Sequence, residues 1–378
     1  MDLICYCHLR WNFVYQRPQH LISRFANNYR VFYIEEPTFS DINQSSYSLE
    51  KNGSVNVITP QLAHQLNESD IINELKTILD KILIDHSISN HLAWYYTPIP
   101  LKFSRQLKPD VVVYDCMDEL SNFKFAPPEL KSLERELLTL ADVVFTGGET
   151  LYQAKKNEHK NIYAFPSSID KEHFAKARLA ANDPEDQKQI PHPRFGFYGV
   201  IDERFDLDLL NAVASAKPNW NFVIIGPVVK IDPATLPKHE NIFYLGGKTY
   251  DQLPEYLRGW DVAMIPFLLN ESTKFISPTK TPEYLAGGKP VISASIADVV
   301  SPYGNEGFVH IADNAANFIA AGENILADSN KTDWLIKVDN FLQNNSWDIT
   351  WNKMNGLIEE EKAQKIKTLN NLKHQVYV

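Results

Sequence analysis

Residues 3–34 read LICYCHLRWNFVYQRPQHLISRFANNYRVFYI. Leu3 to Cys7 is a short apolar run, Pro18 to Asn28 spaces its apolar side chains at helical intervals, and Arg30 to Ile34 is apolar again. The order is β-α-β, and the fold class it predicts is α/β with parallel strands. The alternation continues through candidate strands at Val55–Ile58, Ala93–Tyr96, Val111–Tyr114, Val143–Phe145 and Ile162–Phe165, with helices near 71–84, 127–140 and 149–157. Their nearly unbroken apolar character fits a sheet covered on both faces.

The pattern stops at Lys171 to Pro193, which is polar, charged and proline-bearing, as expected on the approach to a domain boundary. It restarts at Phe195–Tyr198 and runs on through Phe222–Ile225, Ile242–Leu245, Val262–Ile265, Val291–Ser293 and Phe308–Ile311. The expected organisation is a doubly wound domain over 1–170, a second over 194–345, and a helix over 346–378 that crosses back to the first. Two such domains leave a cleft between the carboxyl ends of their strands, where open parallel sheets bind ligands.

Composition narrows the function. The chain has 378 residues, 44% hydrophobic and 22% charged, with a formal net charge of -10, which argues against a nucleic-acid partner. Cys5, Cys7 and Cys116 make an odd count, so a disulfide framework is excluded in practice and a reducing compartment fits. The N-terminus lacks a basic and apolar leader, and no apolar run approaches the roughly 18 residues of a spanning helix. The expected location is cytoplasmic, peripheral to the membrane at most.

Three loops after strands of the second domain carry candidate chemistry. Gly199 follows the first strand and Arg204 stands five residues on, a pattern that suits close approach of a phosphate and equally a plain turn with a solvated arginine. Gly226 repeats the ambiguity after the second strand. The third region, Ser277-Pro278-Thr279-Lys280-Thr281-Pro282-Glu283, opens a helix that Gly287-Gly288 closes. A helix N-terminus is an anion site, and Lys280 adds a full charge there. Glu283 offers two acceptors for ribose hydroxyls, or is simply a first-turn acid favoured by the helix dipole.

Pro282-Glu283-Tyr284-Leu285-Ala286-Gly287-Gly288-Lys289-Pro290-Val291-Ile292 resembles the nucleotide-binding signature of the GT-B glycosyltransferases of family 4, the glycosyl transferases group 1 kind. The resemblance implies two Rossmann-like domains facing a central cleft. It makes Glu283 the ribose ligand and Arg204 and Lys280 diphosphate ligands, with Gly199 permitting close approach; Gly226 and Thr281, read from their loops, are further candidates for contact with the nucleotide. The family usually has a second glutamate eight positions before Glu283, where this chain has Phe275, so the retaining and inverting outcomes both stay open. Trp11 to Leu21, Glu35-Glu36-Pro37 and Ile276 to Thr281 are similar to a subgroup of cell-envelope polysaccharide glycosyltransferases of the capsule and teichuronic-acid type.

In the first domain, Arg10, Trp11, Arg17 and His20 lie in or beside the loop where that family places its acceptor. Residues 1–30 hold Arg10, Arg17, Arg24 and Arg30 against Asp2, a basic rim suited to an anionic lipid-linked acceptor or the inner membrane leaflet. Asp118 follows the strand at 111–114 and is the candidate general base of an inverting transfer, with His8 as the alternative. No metal is expected, because lysine, arginine and the helix N-terminus can neutralise a leaving diphosphate and no Asp-x-Asp or His/Cys spacing suggests a metal site.

The resulting expectation is a metal-independent hexosyltransferase that moves a sugar from a nucleotide diphosphate sugar, uridine-linked by preference, to a hydroxyl of a cell-surface glycan or lipid-linked acceptor. A nucleotide-sugar epimerase of the same fold and a catalytically silent nucleotide-binding scaffold are the alternatives.

Overall fold

The structure, a computed structural model, describes residues 1–328 and 331–376. Among them, β1 (Asp2–Tyr6), β2 (Arg30–Ile34), β3 (Thr38–Ser40), β4 (Ser46–Asn52), β5 (Val55–Ala63), β6 (His91–Tyr95), β7 (Val111–Cys116), β8 (Val143–Thr146) and β9 (Ile162–Ala164) form the first sheet. Its order is β3-β5-β2-β1-β6-β7-β8-β9, parallel throughout, with β4 added antiparallel to β5. The second sheet holds β10 (Arg194–Tyr198), β11 (Asn221–Ile225), β12 (Ile242–Tyr244), β13 (Val262–Ile265), β14 (Val291–Ser293) and β15 (Val309–Ile311) in the order β12-β11-β10-β13-β14-β15. That is the doubly wound order, which reverses direction between β10 and β13 and so opens a crevice at their carboxyl ends.

The pleat of β1 builds both layers of the first domain. Leu3 and Cys5 point to one face, where Trp347, Met354 and Ile358 of the final helix (Trp347–Val376) complete the core. Ile4 and Tyr6 point to the other, against Leu75, Ile78, Leu79 and Ile82 of the helix Glu68–Asp85. The chain therefore passes from the second domain back onto the first, tied at the crossing by Trp347 N to Ile169 O at 3.2 Å and by Ser168 Oγ to Thr350 Oγ1 at 2.5 Å.

Two features depart from the sequence reading. The strands β3 and β4 are absent from it because β4 is polar and almost wholly exposed, an edge strand with no apolar alternation to betray it. The polar segment 171–193 is packed rather than loose: Phe174, Ala177 and Ile190 enter the core of the second domain, and Gln187 exchanges hydrogen bonds with Tyr256 O and Trp260 Nε1.

Asp298 of the second domain joins the two bodies directly. Its carboxylate accepts from Glu149 N and Thr150 N, both at 2.9 Å, and from Thr150 Oγ1, at the start of the helix Glu149–Lys155 in the first domain.

Candidate functional site

A cavity of about 480 Å³ opens between the domains, walled by the loops after β10 and β11, the helix Lys280–Ala286, residues 247–253, and Phe13 to Gln16 of the first domain. A larger one of about 550 Å³ lies behind the domain crossing, between Tyr163, Tyr303 and Asn345. It has no glycine loop, and its carboxylate Asp298 is already engaged with Glu149 and Thr150, so the chemistry points to the first cavity.

Gly199 and Gly226 shape its floor. Gly199 has φ +139 and Gly226 φ +142, backbone that L side chains rarely adopt, and a β-carbon on Gly226 would lie 1.8 Å from the carbonyl oxygen of Gly199. The two loops thus touch backbone to backbone. The helix Lys280–Ala286 presents Lys280 and Glu283, three apart and on one face, to the cavity. Thr281, one residue on, turns the other way: it is fully buried, its hydroxyl has no partner, and it lines no wall of this cavity. The expectation that Thr281 contacts nucleotide is corrected accordingly. The helix has only seven residues, so the full charge of Lys280 outweighs its dipole as an attraction for anions.

Glu283 is held by Tyr198, whose hydroxyl donates to Oε2 at 2.8 Å. Burial raises the pKa of this carboxyl, and the Tyr198 hydrogen bond and the Lys280 charge work against that rise. Burial lowers the pKa of Lys280, and the neighbouring Arg204 lowers it further. The Lys280 ammonium lies over the rings of Phe197 and Phe267, at 5.5 and 5.7 Å. Arg204 is chelated by Asp202, with Nε at 2.9 Å and Nη2 at 2.7 Å from its two carboxylate oxygens.

A smaller cavity of about 90 Å³ adjoins the first and brings Asp118, Arg17, Arg204 and Lys280 to one point. The Asp118 pKa is pushed up to about 6, chiefly by burial, with Arg204 and then Arg17 opposing the rise. A carboxylate with that value is ionised at neutral pH yet basic enough to accept a hydroxyl proton. His8 lines neither cavity; burial and then the charge of Lys230 bring its pKa down to about 4, a poor match for a base at neutral pH.

The remaining first-domain candidates are engaged by partners within the protein, although Arg17 also lines the smaller cavity. Trp11 is a core residue, edge-on to Tyr33 at 4.9 Å, with its backbone N–H donating to Glu35. Arg17 is buried and committed to Asp115, donating from Nε and Nη2, and to the carbonyl of Phe165. His20 is buried, its ring stacked on Trp347 at 4.6 Å, where it anchors the final helix. Arg10 is spent on Glu35 Oε2 and the carbonyls of Glu36 and Pro37. Arg24 pairs with Asp348 and Arg30 with Asp2, so the basic rim of residues 1–30 offers no unpaired arginine. A charge already matched at short range attracts little else.

Sequence reasoning missed Tyr198, Asp202 and the stack of Tyr15 on Tyr250 at 4.4 Å, which closes the cavity edge across the two domains. The Asp202/Arg204 spacing was a readable signal; the other two join residues far apart in the chain. Phe275, where the family's other glutamate was expected, packs against the core of the first domain and lines neither cavity.

Residues 192–328 match the family model described as Glycosyl transferases group 1. TuaH of Bacillus subtilis (strain 168), named as a glycosyltransferase of teichuronic acid biosynthesis, is 26% identical over 257 residues, 62% of this chain and 63% of that protein. The chain thus aligns with less than two thirds of that relative's length. Sucrose-phosphate synthase from Thermosynechococcus elongatus superposes with a TM-score of 0.69 at 14% identity, over 96% of this chain and 100% of that one. HepE of Anabaena, solved with UDP and glucose, superposes with a TM-score of 0.68 at 13% identity, over 95% and 99%. At such identities these two likenesses carry the fold. The chain has the GT-B fold, two Rossmann-like domains about a cleft, and its second domain is similar to the Glycosyl transferases group 1 family over residues 192–328.

Proposed function

We propose that this chain transfers a hexose from a nucleotide diphosphate sugar, uridine-linked, to a hydroxyl of a cell-surface glycan or lipid-linked acceptor. The observation that carries the reading is the convergence of Glu283, Lys280, Gly199 and Gly226 on one interdomain cavity. Its uridine preference draws on HepE, solved with UDP and glucose. Its polysaccharide acceptor draws on TuaH.

In this reading the Glu283 carboxylate accepts from the ribose hydroxyls, held in place by Tyr198. The diphosphate lies along Gly199, where no β-carbon blocks it, and its charge is met by Lys280 and by the Arg204 edge that Asp202 leaves free. Positive charge so placed stabilises the leaving diphosphate as the glycosidic bond breaks, and no metal is invoked. Asp118 takes the proton of the acceptor hydroxyl in an inverting transfer, or orients that hydroxyl in a retaining one. The protein acts on the cytoplasmic side; no helix among the described residues is long and apolar enough to cross a membrane.

An epimerase or a silent scaffold is not favoured: neither cleft cavity is walled by a histidine side chain, and an ionisable Asp118 lines the smaller one. A thermal-shift titration with uridine, guanosine, adenosine and cytidine diphosphates tests the proposal, since a ligand at about 100 times its Kd adds about 2.7 kcal/mol to the native state. A shift selective for uridine diphosphate, followed by acceptor-dependent release of that nucleotide from its sugar, is expected. No shift with any of the four overturns the donor site, and release without acceptor returns the epimerase.

A further inference from the structure

The nucleotide cavity and the smaller cavity that holds Asp118 share four wall residues: Gln16, Arg204, Thr279 and Lys280. Gln16 is the one residue of the first domain, among those described, that lines both. Arg204 and Lys280 bring the positive charge of this junction, whereas Gln16 brings a neutral amide that can donate and accept. Gln16 is half-buried and extended, with φ -142 and ψ -169, immediately before the helix Arg17–Phe25.

Two anchors hold this residue in the cleft. Within the first domain, the buried Gln19 accepts from Gln16 N at 2.9 Å through Oε1 and donates from Nε2 to the carbonyls of Trp11, at 2.9 Å, and Val14, at 3.2 Å. One buried side chain thus fixes the turn from Trp11 to Gln16. From the second domain, Tyr250 stacks on Tyr15, the residue before Gln16, at 4.4 Å. The side-chain N–H groups of Gln16 donate to no protein group among the described residues, although its backbone N–H is spent on Gln19. A donor that is already positioned and still unspent meets a ligand at little further cost in order.

Other polar groups of the smaller cavity are committed. Arg17 donates to Asp115 and to the carbonyl of Phe165. The Ser167 hydroxyl donates to the carbonyl of Ser277, whose own Oγ accepts from Ser167 N. In the proposed reading a donor has its ribose at Glu283 and its diphosphate at Lys280 and Arg204, so its hexose comes next, between the diphosphate and Asp118. Gln16 stands at that junction. An amide lacks the charge to compete with Lys280 and Arg204 for phosphate, and a sugar hydroxyl is the group it suits.

We propose that the side-chain amide of Gln16 donates a hydrogen bond to a hydroxyl of the donor hexose, which makes it a specificity-determining residue supplied by the first domain to a donor held by the second. The inference rests on the transferase reading above and adds to it the residue that reads the sugar. Gln19 acts only as a positioning residue, through the turn it fixes.

Isothermal titration of the full chain with UDP, UDP-glucose, UDP-galactose and UDP-N-acetylglucosamine tests the proposal. For the sugar nucleotide that the parent binds best, the ratio of its Kd to that of UDP should rise about threefold to tenfold in Gln16→Ala, the scale of one neutral hydrogen bond. UDP itself should bind as it does to the parent, a readout that a merely structural role for Gln16 would disturb. Gln16→Asn keeps an amide before the helix but draws it back by a methylene, and it should raise the ratio as well. Both variants should keep the melting temperature of the parent, which shows that they fold. An unchanged ratio in Gln16→Ala, an equal loss of affinity for UDP and the sugar nucleotide, or a parent that binds UDP but none of the three sugar nucleotides would each overturn the proposal. A parent that binds no UDP would remove the donor site itself, so failure of the transferase reading is told apart from failure of the Gln16 contact.

Discussion

A β-carbon placed on Gly199 would lie 2.4 Å from Cε of Lys280 and 2.7 Å from its Nζ. The lysine comes from a helix eighty-one residues later and occupies the space that any other residue at 199 would fill. Gly199 is therefore required twice, by its φ of +139 and by its neighbour. Gly199→Ala should displace the ammonium and cost about 1–3 kcal/mol of stability through backbone strain. Calorimetric titration with uridine diphosphate should show weaker binding; unchanged affinity would detach Lys280 from the diphosphate.

Glu283→Ala should weaken nucleotide binding by about 1–3 kcal/mol, the scale of hydrogen bonds to a charged group. Tyr198→Phe should produce a smaller loss of the same kind, because it removes the hydrogen bond that orients the carboxylate rather than the carboxylate itself. Isothermal titration of both variants checks the order, and a larger effect from Tyr198→Phe would contradict it.

Asp118 makes opposite predictions for activity and stability. Its native pKa, about 6, lies above the ordinary 3.8, so the folded state binds this proton more tightly than the unfolded chain does. Stability from this group is thus fully present below 3.8 and is lost as pH rises through about 6. Asp118→Asn should melt higher than the parent at pH 7 while transfer falls by roughly 10²-fold or more. In the parent, kcat/KM should decline below about pH 6, where Asp118 protonates. Full activity of the variant would move the base elsewhere.

Asp298→Ala should loosen the two domains. It removes the acceptor of Glu149 N, Thr150 N and the Thr150 hydroxyl, leaving the start of that helix uncapped, at about 1–3 kcal/mol. Small-angle scattering should report a larger radius of gyration, and an unchanged profile would show that the other interdomain contacts, such as Asn122 with Glu271 and Tyr15 with Tyr250, hold the domains together without it.

Arg17→Lys should behave as a folding defect and not as an acceptor defect. Lysine cannot reproduce the forked contact with Asp115, which is completely buried. Breaking a buried pair of this kind costs about 3–5 kcal/mol. Chemical denaturation measures it, and a stable variant with altered acceptor dependence would restore Arg17 to the acceptor site.

The fold was legible because periodicity is local. The alternation of Leu3, Cys5 and Ile4, Tyr6 across β1 and the placing of Lys280 and Glu283 on one face of a two-turn helix follow from geometry between near neighbours. The glycines at 199 and 226 were marked by their places after strands and the motif from Pro282 to Ile292 by its family resemblance, and the structure brings Gly199, Gly226, Lys280 and Glu283 to one interdomain cavity. The edge strand β4 escaped notice because its exposed polar residues carry no period.

Tertiary structure decided which polar groups are free. Arg10, Arg17 and His20 carry the same chemistry in the sequence as Lys280, yet Glu35, Asp115 and Trp347 satisfy the first three while Lys280 is left facing the cavity. Tyr198 meets Glu283 across 85 residues, and Phe275 enters the core of the other domain. Local sequence determined where the chain turns, coils and extends, because those choices depend on adjacent dihedral angles. Whether a charge is matched or available depends on what is desolvated beside it, and that neighbour is chosen only when distant segments pack.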